Sequence, residues 1–154
     1  MTKATKHIRF ALKCGTLLGT LCFLVSTLVQ IYARFFMEKA PSWTEEGARL
    51  FFVFAIGCAS GLAMRGNYYV HFDFLFAKFN TLWQRRIRLL IYATLVVLFA
   101  IFSVQSFEFL ALGWDERSPS LKFPMSIAFL GITAMGLSIT FFAATSFFKL
   151  LKKR

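Results

Sequence analysis

Three cysteines (Cys14, Cys22, Cys58), two histidines (His7, His71) and seven acids are the side chains of this sequence whose types suit redox, metal or proton chemistry. Their spacing gives that chemistry little to work with. No two cysteines form a CxxC pair, and two lie in one apolar run while the third lies in the next, which argues against a membrane thiol oxidoreductase. A membrane haem protein needs axial His pairs within its spans. His7 precedes the first apolar run, and His71 stands beside Asp73 in a basic connecting stretch, where it reads as part of a helix start rather than a metal site. Walker-type glycine loops are absent, so nothing points to nucleotide hydrolysis. Glu108 is the one acid inside an apolar run. Ion-coupled transport needs ionisable groups in mid-membrane, and Glu108 sits one turn from its run's end, where it also reads as an acid that snorkels or pairs with Arg117 or Arg49. An enzyme is the weakest reading, and no cofactor or metal is expected.

The elements that carry these residues are apolar throughout. Of 154 residues, 58% are hydrophobic and only 16% charged, and 21 are Phe; soluble domains have about 45–50% apolar and about 25% charged residues. A net charge of +11 is a feature of nucleic-acid binders too, but such binding needs a basic stripe on a polar-surfaced domain. Here the charges fall in short clusters between uncharged runs, and no nucleic-acid partner is expected. A helix crossing a hydrocarbon core of about 30 Å needs roughly 20 apolar residues. Four runs suffice, over about 14–33, 47–64, 87–112 and 125–148. Being apolar on all sides, they do not alternate as barrel strands do. The fold class is an all-α integral membrane protein, with residues 1–154 forming a single membrane domain. The first run is longer than the 7–15 residues of a signal-peptide core and ends in Gln30-Ile31-Tyr32-Ala33-Arg34, so it reads as a retained first helix.

Charge sets the orientation. With alternating sides, thirteen of the eighteen basic residues fall with the N-terminus, the second loop and the tail, and six of the seven acids fall on the opposite side. The positive-inside rule then places both termini in the cytoplasm. The inner face invites anionic lipid headgroups.

The second loop has its own period. Phe72, Leu75, Phe76, Phe79, Leu82 and Trp83 recur at helical spacing, with Asp73, Ala77, Asn80 and Gln84 opposite. An amphipathic helix over about 70–84, lying in the cytoplasmic interface, accounts for this, with Phe72, Phe76, Phe79, Trp83, Arg85 and Arg86 as lipid-facing candidates. The alternative is an extension of the second or third span. On the other side, Ser42 and Glu45 have capping-box spacing for the second span. Glu45 and Glu46 both lie within i+3 or i+4 of Arg49, and Pro124 suits the start of the fourth span. The spans are rich in packing residues: Gly15 with Gly19, Gly57 with Gly61, and Gly136, Thr140 and Ala144 are all spaced by four. These serve either contacts among the four helices or docking to another protein; outward Phe residues suit lipid or a partner equally.

The stretch Ser42-Trp43-Thr44-Glu45-Glu46-Gly47-Ala48-Arg49, a Gly-rich span, Arg65-Gly66 and then His71-Phe72-Asp73-Phe74-Leu75 resembles the DctQ-type small membrane subunit of tripartite ATP-independent periplasmic (TRAP) transporters. In that family a Trp-x-Glu-Glu-x-x-Arg element opens the second span. An Arg-Gly and a His-x-x-Val-Asp-Leu-like element follow; here His71 is only two residues before Asp73. Pro119-Ser120-Leu121-Lys122-Phe123-Pro124 matches the family's Pro-x-Leu-x-x-Pro pattern before the last span. The resemblance implies a non-catalytic scaffold in the bacterial inner membrane. Its partners would be a large multi-span subunit carrying substrate and sodium, and a periplasmic binding protein delivering an organic acid of the sialic acid or C4-dicarboxylate type. Trp43, Glu45, Glu46, Arg49, Gly57 and Gly61 are the candidate subunit-interface residues. The competing expectations are an autonomous four-helix ion-coupled transporter using Glu108, and a membrane redox enzyme.

Overall fold

A computed structural model describes residues 3–37, 41–66 and 80–152. Among the described residues there are four helices, α1 (Lys3–Phe36), α2 (Trp43–Gly66), α3 (Thr81–Asp115) and α4 (Ser126–Lys152), each long and apolar enough to cross a membrane. The three prolines, at 41, 119 and 124, all lie outside the helices, as expected of a residue that lacks an N–H and clashes with the preceding turn. Each helix contains one of the apolar runs and continues past it into charged sequence. At 1.5 Å per residue, α1 and α3 are about 50 Å long, well beyond the hydrocarbon thickness.

The interfacial helix expected over 70–84 falls largely outside the described residues, which omit 67–79, and Phe72, Phe76 and Phe79 lie outside them as well. Its last residues differ from the expectation: Leu82, Trp83 and Gln84 belong to the first turns of α3, which runs without a break into the apolar segment. Asn80 precedes that helix in an extended conformation and its carbonyl accepts the first helical bond, from the Gln84 N–H. Nothing between Thr81 and Ile87 breaks a helix, so the period of the connecting stretch and that of the span merge there.

The helices pack in the spatial order α1, α2, α4, α3. Antiparallel α1 and α2 meet through small residues. A Cβ built on Gly15 would touch the Cys58 Sγ, one on Gly19 would lie 3.0 Å from the Ala55 backbone nitrogen, and Gly47 stands opposite Ser26. The parallel pair α2 and α4 is closer still, Gly57 lying directly against the Gly131 carbonyl and Gly61 against Ser138. Antiparallel α3 and α4 meet at Gly136 with Ser103, at Gly113 with Phe129 and at the Phe109–Phe129 ring pair. Small residues let backbones approach, and dispersion across such contacts holds membrane helices together where no hydrophobic term does.

The core lies where α2 and α4 are covered by both neighbours: Met64, Ile139, Phe142 and Ala143, flanked by Leu12 of α1, Tyr92, Leu95, Val96 and Phe99 of α3, and Met135. The Arg65 guanidinium sits 6.0 Å from the Phe142 ring centroid at the basic end. Inside the spans, buried Ser103, Ser106 and Thr133 donate within their own helices, Ser103 to the Phe99 carbonyl, Ser106 to Ser103 and Thr133 to Phe129. Such back-bonding lets a polar side chain occupy a bilayer interior where no water can serve it.

Candidate functional site

The motif that opens α2 is divided between two jobs. The turn is tied by Thr44, whose backbone N–H and hydroxyl both donate to the Pro41 carbonyl and whose side chain is buried. This replaces the capping box expected of Ser42 and Glu45. Ser42 is exposed, and Glu45 is drawn instead to Arg49, one turn along, at 3.3 Å. That pair is exposed, at 65% and 74% of the two side chains, so it contributes little to stability. What it does is neutralise Arg49 at the edge of the apolar run. Trp43 is 49% exposed beside it, an amphipathic ring suited to the membrane interface.

Glu46 turns the other way. Its carboxylate accepts the Ser118 hydroxyl and the backbone N–H groups of Ser120 (3.0 Å to Oε1) and Leu121 (3.1 Å to Oε2). The loop presenting these donors is itself braced. Met125 N–H donates to the Glu116 carbonyl, Ser118 N–H to Phe123 and Lys122 N–H to Ser118; Arg117 Nη1 adds a bond to the Lys122 carbonyl. Lys122 adopts φ 55°, the left-handed region that closes the turn. Glu46 precedes the apolar run that begins at Gly47. The Ser118 hydroxyl chiefly holds its carboxyl below the ordinary value of 4.5, partial desolvation opposing and the Leu121 and Ser120 N–H groups adding. The carboxylate thus pins the α3–α4 loop to the start of α2. Sequence reasoning placed Glu46 near Arg49 and missed this role, because no local spacing signals a bond to donors more than seventy residues away.

At the basic end, the Arg86 guanidinium lies 5.5 Å from the Trp83 ring centroid, and both side chains are exposed. Arg85 reaches across to α4, donating to the Leu150 carbonyl at 3.2 Å, and so supplies one of the acceptors left unpaired at a helix C-terminus with a cation. Of the small residues expected at a subunit contact, Gly57 and Gly61 are buried against α4 of the same chain, the within-chain alternative of the two. Glu108 pairs with neither Arg49 nor Arg117, which are engaged elsewhere, and its side chain is exposed. No group of three His, Cys, Asp or Glu side chains is gathered among the described residues.

The arrangement is therefore a braced corner at the start of α2 and a tightly packed four-helix row, with few reactive groups brought together. A family model described as "Tripartite ATP-independent periplasmic transporters, DctQ component" matches residues 23–153. The chain belongs to the DctQ family. No curated protein matches it. As a DctQ protein it is a small multi-pass membrane component of a TRAP transporter, and the family is one of transporter components rather than enzymes. The matched region runs from the middle of α1 almost to the end of the chain, taking in the Glu46 corner, the α3–α4 loop and the Gly57–Gly131 contact of this DctQ chain.

Proposed function

We propose that this chain is the scaffold subunit of a sodium-coupled TRAP importer in a bacterial inner membrane, with both termini cytoplasmic. A large membrane subunit carries the solute and sodium, and a periplasmic binding protein delivers an organic acid of the sialic acid or C4-dicarboxylate type. The observation that carries this reading is the DctQ match over 23–153, on spans that hold packing residues and no ionisable group at mid-depth. Trp43, Glu45, Glu46 and Arg49 form the outer corner through which the frame meets its partners, and Trp83 with Arg86 anchors the inner face in lipid. Glu108 fits the autonomous-transporter alternative poorly: a coupling acid belongs in the bundle interior or a wet cavity, and this one faces outward. Co-expression with the cognate large subunit tests the proposal. The expected result is co-purification in mild detergent and loss of sodium-driven uptake when this chain is deleted; uptake by this chain alone in proteoliposomes would overturn it.

A further inference from the structure

The two edge helices of the row differ in what they present outward. Between Cys14 and Ala33, the one charged or amide side chain of α1 is Gln30, which is half-buried and lies near the end of the run. More than a turn inside its apolar run, α3 exposes both Gln105 and Glu108, on a stripe with Ile101 (60% exposed) and Leu112 (65% exposed). Neither Gln105 nor Glu108 makes a hydrogen bond or ion pair among the described residues. Exposed Trp114 marks the outer interface. Counted along the helix from Leu112, where the apolar run ends, Glu108 lies four residues inside, about 6 Å, and Gln105 seven residues inside, about 10 Å, against a hydrocarbon half-thickness of about 15 Å. A two-methylene stem is too short to return the Glu108 charge to the headgroups over that distance. Hydrocarbon tails would leave both groups without partners, whereas the α1 edge suits lipid.

We propose that the α3 face bearing Gln105 and Glu108 is where the large transporter subunit seats a transmembrane segment carrying a cationic hydrogen-bond donor, Lys, Arg or protonated His, at the depth of Glu108. This rests on the scaffold reading above. A second copy of this chain is the poorer occupant, because a two-fold axis along the membrane normal would bring two Glu108 carboxylates together at one depth. Gln105, one turn deeper, offers both a donor and an acceptor to the same segment.

The test is photo-crosslinking in intact membranes holding both subunits. p-Benzoylphenylalanine is placed at Ile101 or Leu112 on the α3 stripe, and at Leu17 or Leu24 on α1. The expected result is an adduct of this chain with the large subunit from the α3 positions and none from α1. In parallel, Glu108→Gln, which leaves the partner's cation without its counter-charge, lowers co-purification by about fivefold or more at equal membrane abundance, and Glu108→Lys, opposing like charges, lowers it by about tenfold or more; both variants co-purifying at the wild-type level would overturn the pairing. Adducts from α1 only, an adduct of twice this chain's mass, or no protein adduct from α3 while the subunits still co-purify would each overturn the assignment of this face. Failure to co-purify with any larger membrane protein would overturn the scaffold reading itself, and this inference with it.

Discussion

Replacing Gly57 with Ala should force α2 and α4 apart. A Cβ at Gly57 would point at the Gly131 peptide, 3.0 Å from its carbonyl carbon and 3.4 Å from its Cα, with the carbonyl oxygen nearer still. These are backbone atoms, so no rotamer change relieves the overlap and the helices themselves must move. A separation of about 0.5–1 Å forfeits about a quarter to a half of each dispersion contact across the interface, and in lipid no hydrophobic term replaces it. Overpacking of this kind costs about 1–3 kcal/mol, which lowers the folded-to-unfolded ratio about fivefold or more. Two other glycines calibrate the measurement. At Gly131 the added Cβ would meet the Val53 Cγ1 at 3.1 Å and the Phe54 backbone at 3.3 Å, a misfit of a few tenths of an ångström for which about 1 kcal/mol or less is expected. At Gly47 it would meet only the Ser26 Oγ, at 3.9 Å, so Gly47→Ala should be neutral or gain up to about 1 kcal/mol from helix propensity. The assay is reversible unfolding in mixed micelles of rising SDS fraction, followed by circular dichroism. A Gly57→Ala protein as stable as Gly47→Ala would refute the close approach of α2 and α4.

Glu46 gives a pH prediction. Its pKa is lowered on folding, so the unfolded state binds more protons, and the contribution of the clamp is present above the ordinary value of 4.5 and lost as pH falls through the lowered folded value. Amide exchange at Ser120 and Leu121, corrected for intrinsic rate, should show protection at neutral pH that fades in acid, and Glu46→Gln should remove that pH dependence; unchanged behaviour in the variant would count against the clamp. Arg85→Gln should fray the end of α4, costing about 0.5–1 kcal/mol at this partly exposed site, read as faster exchange of the last-turn amides with the rest of α4 unaffected. Arg49→Ala should change stability by no more than about 0.5 kcal/mol, so a drop in subunit co-purification or uptake would report contact with a partner, and no drop would reduce the Glu45–Arg49 pair to ordinary surface charge.

Four spans were legible because the bilayer constraint acts on each segment alone: every backbone group must be satisfied inside the span, so an apolar run of sufficient length is already a helix. The Glu45–Arg49 pair was legible for a similar reason, since i+4 spacing is a property of one helix. Helix ends were read less well. Trp83 was assigned to an interfacial helix and belongs to α3, because amphipathic period and apolar content meet there with no breaker between them. The capping box expected at Ser42 is not made, and the turn is closed instead by Thr44 donating to the Pro41 carbonyl.

By itself, the sequence determined the class, the number of spans, the charge asymmetry and, through ordered motifs, the family resemblance that the DctQ match bears out. Only the tertiary structure decided what the small and polar residues do. Gly57 had two readings of equal standing until Gly131 was found against it; Glu46 had an obvious partner in Arg49 and took Ser118, Ser120 and Leu121 instead. Glu108 was an acid near an interface until its helix was seen to turn it outward without a partner. The physical reason is range. Hydropathy and helix period are summed over neighbours in the chain, whereas a close helix crossing, a loop clamp or an outward-facing charge depends on which helices lie side by side, and nearly uniform apolar runs carry little information about that.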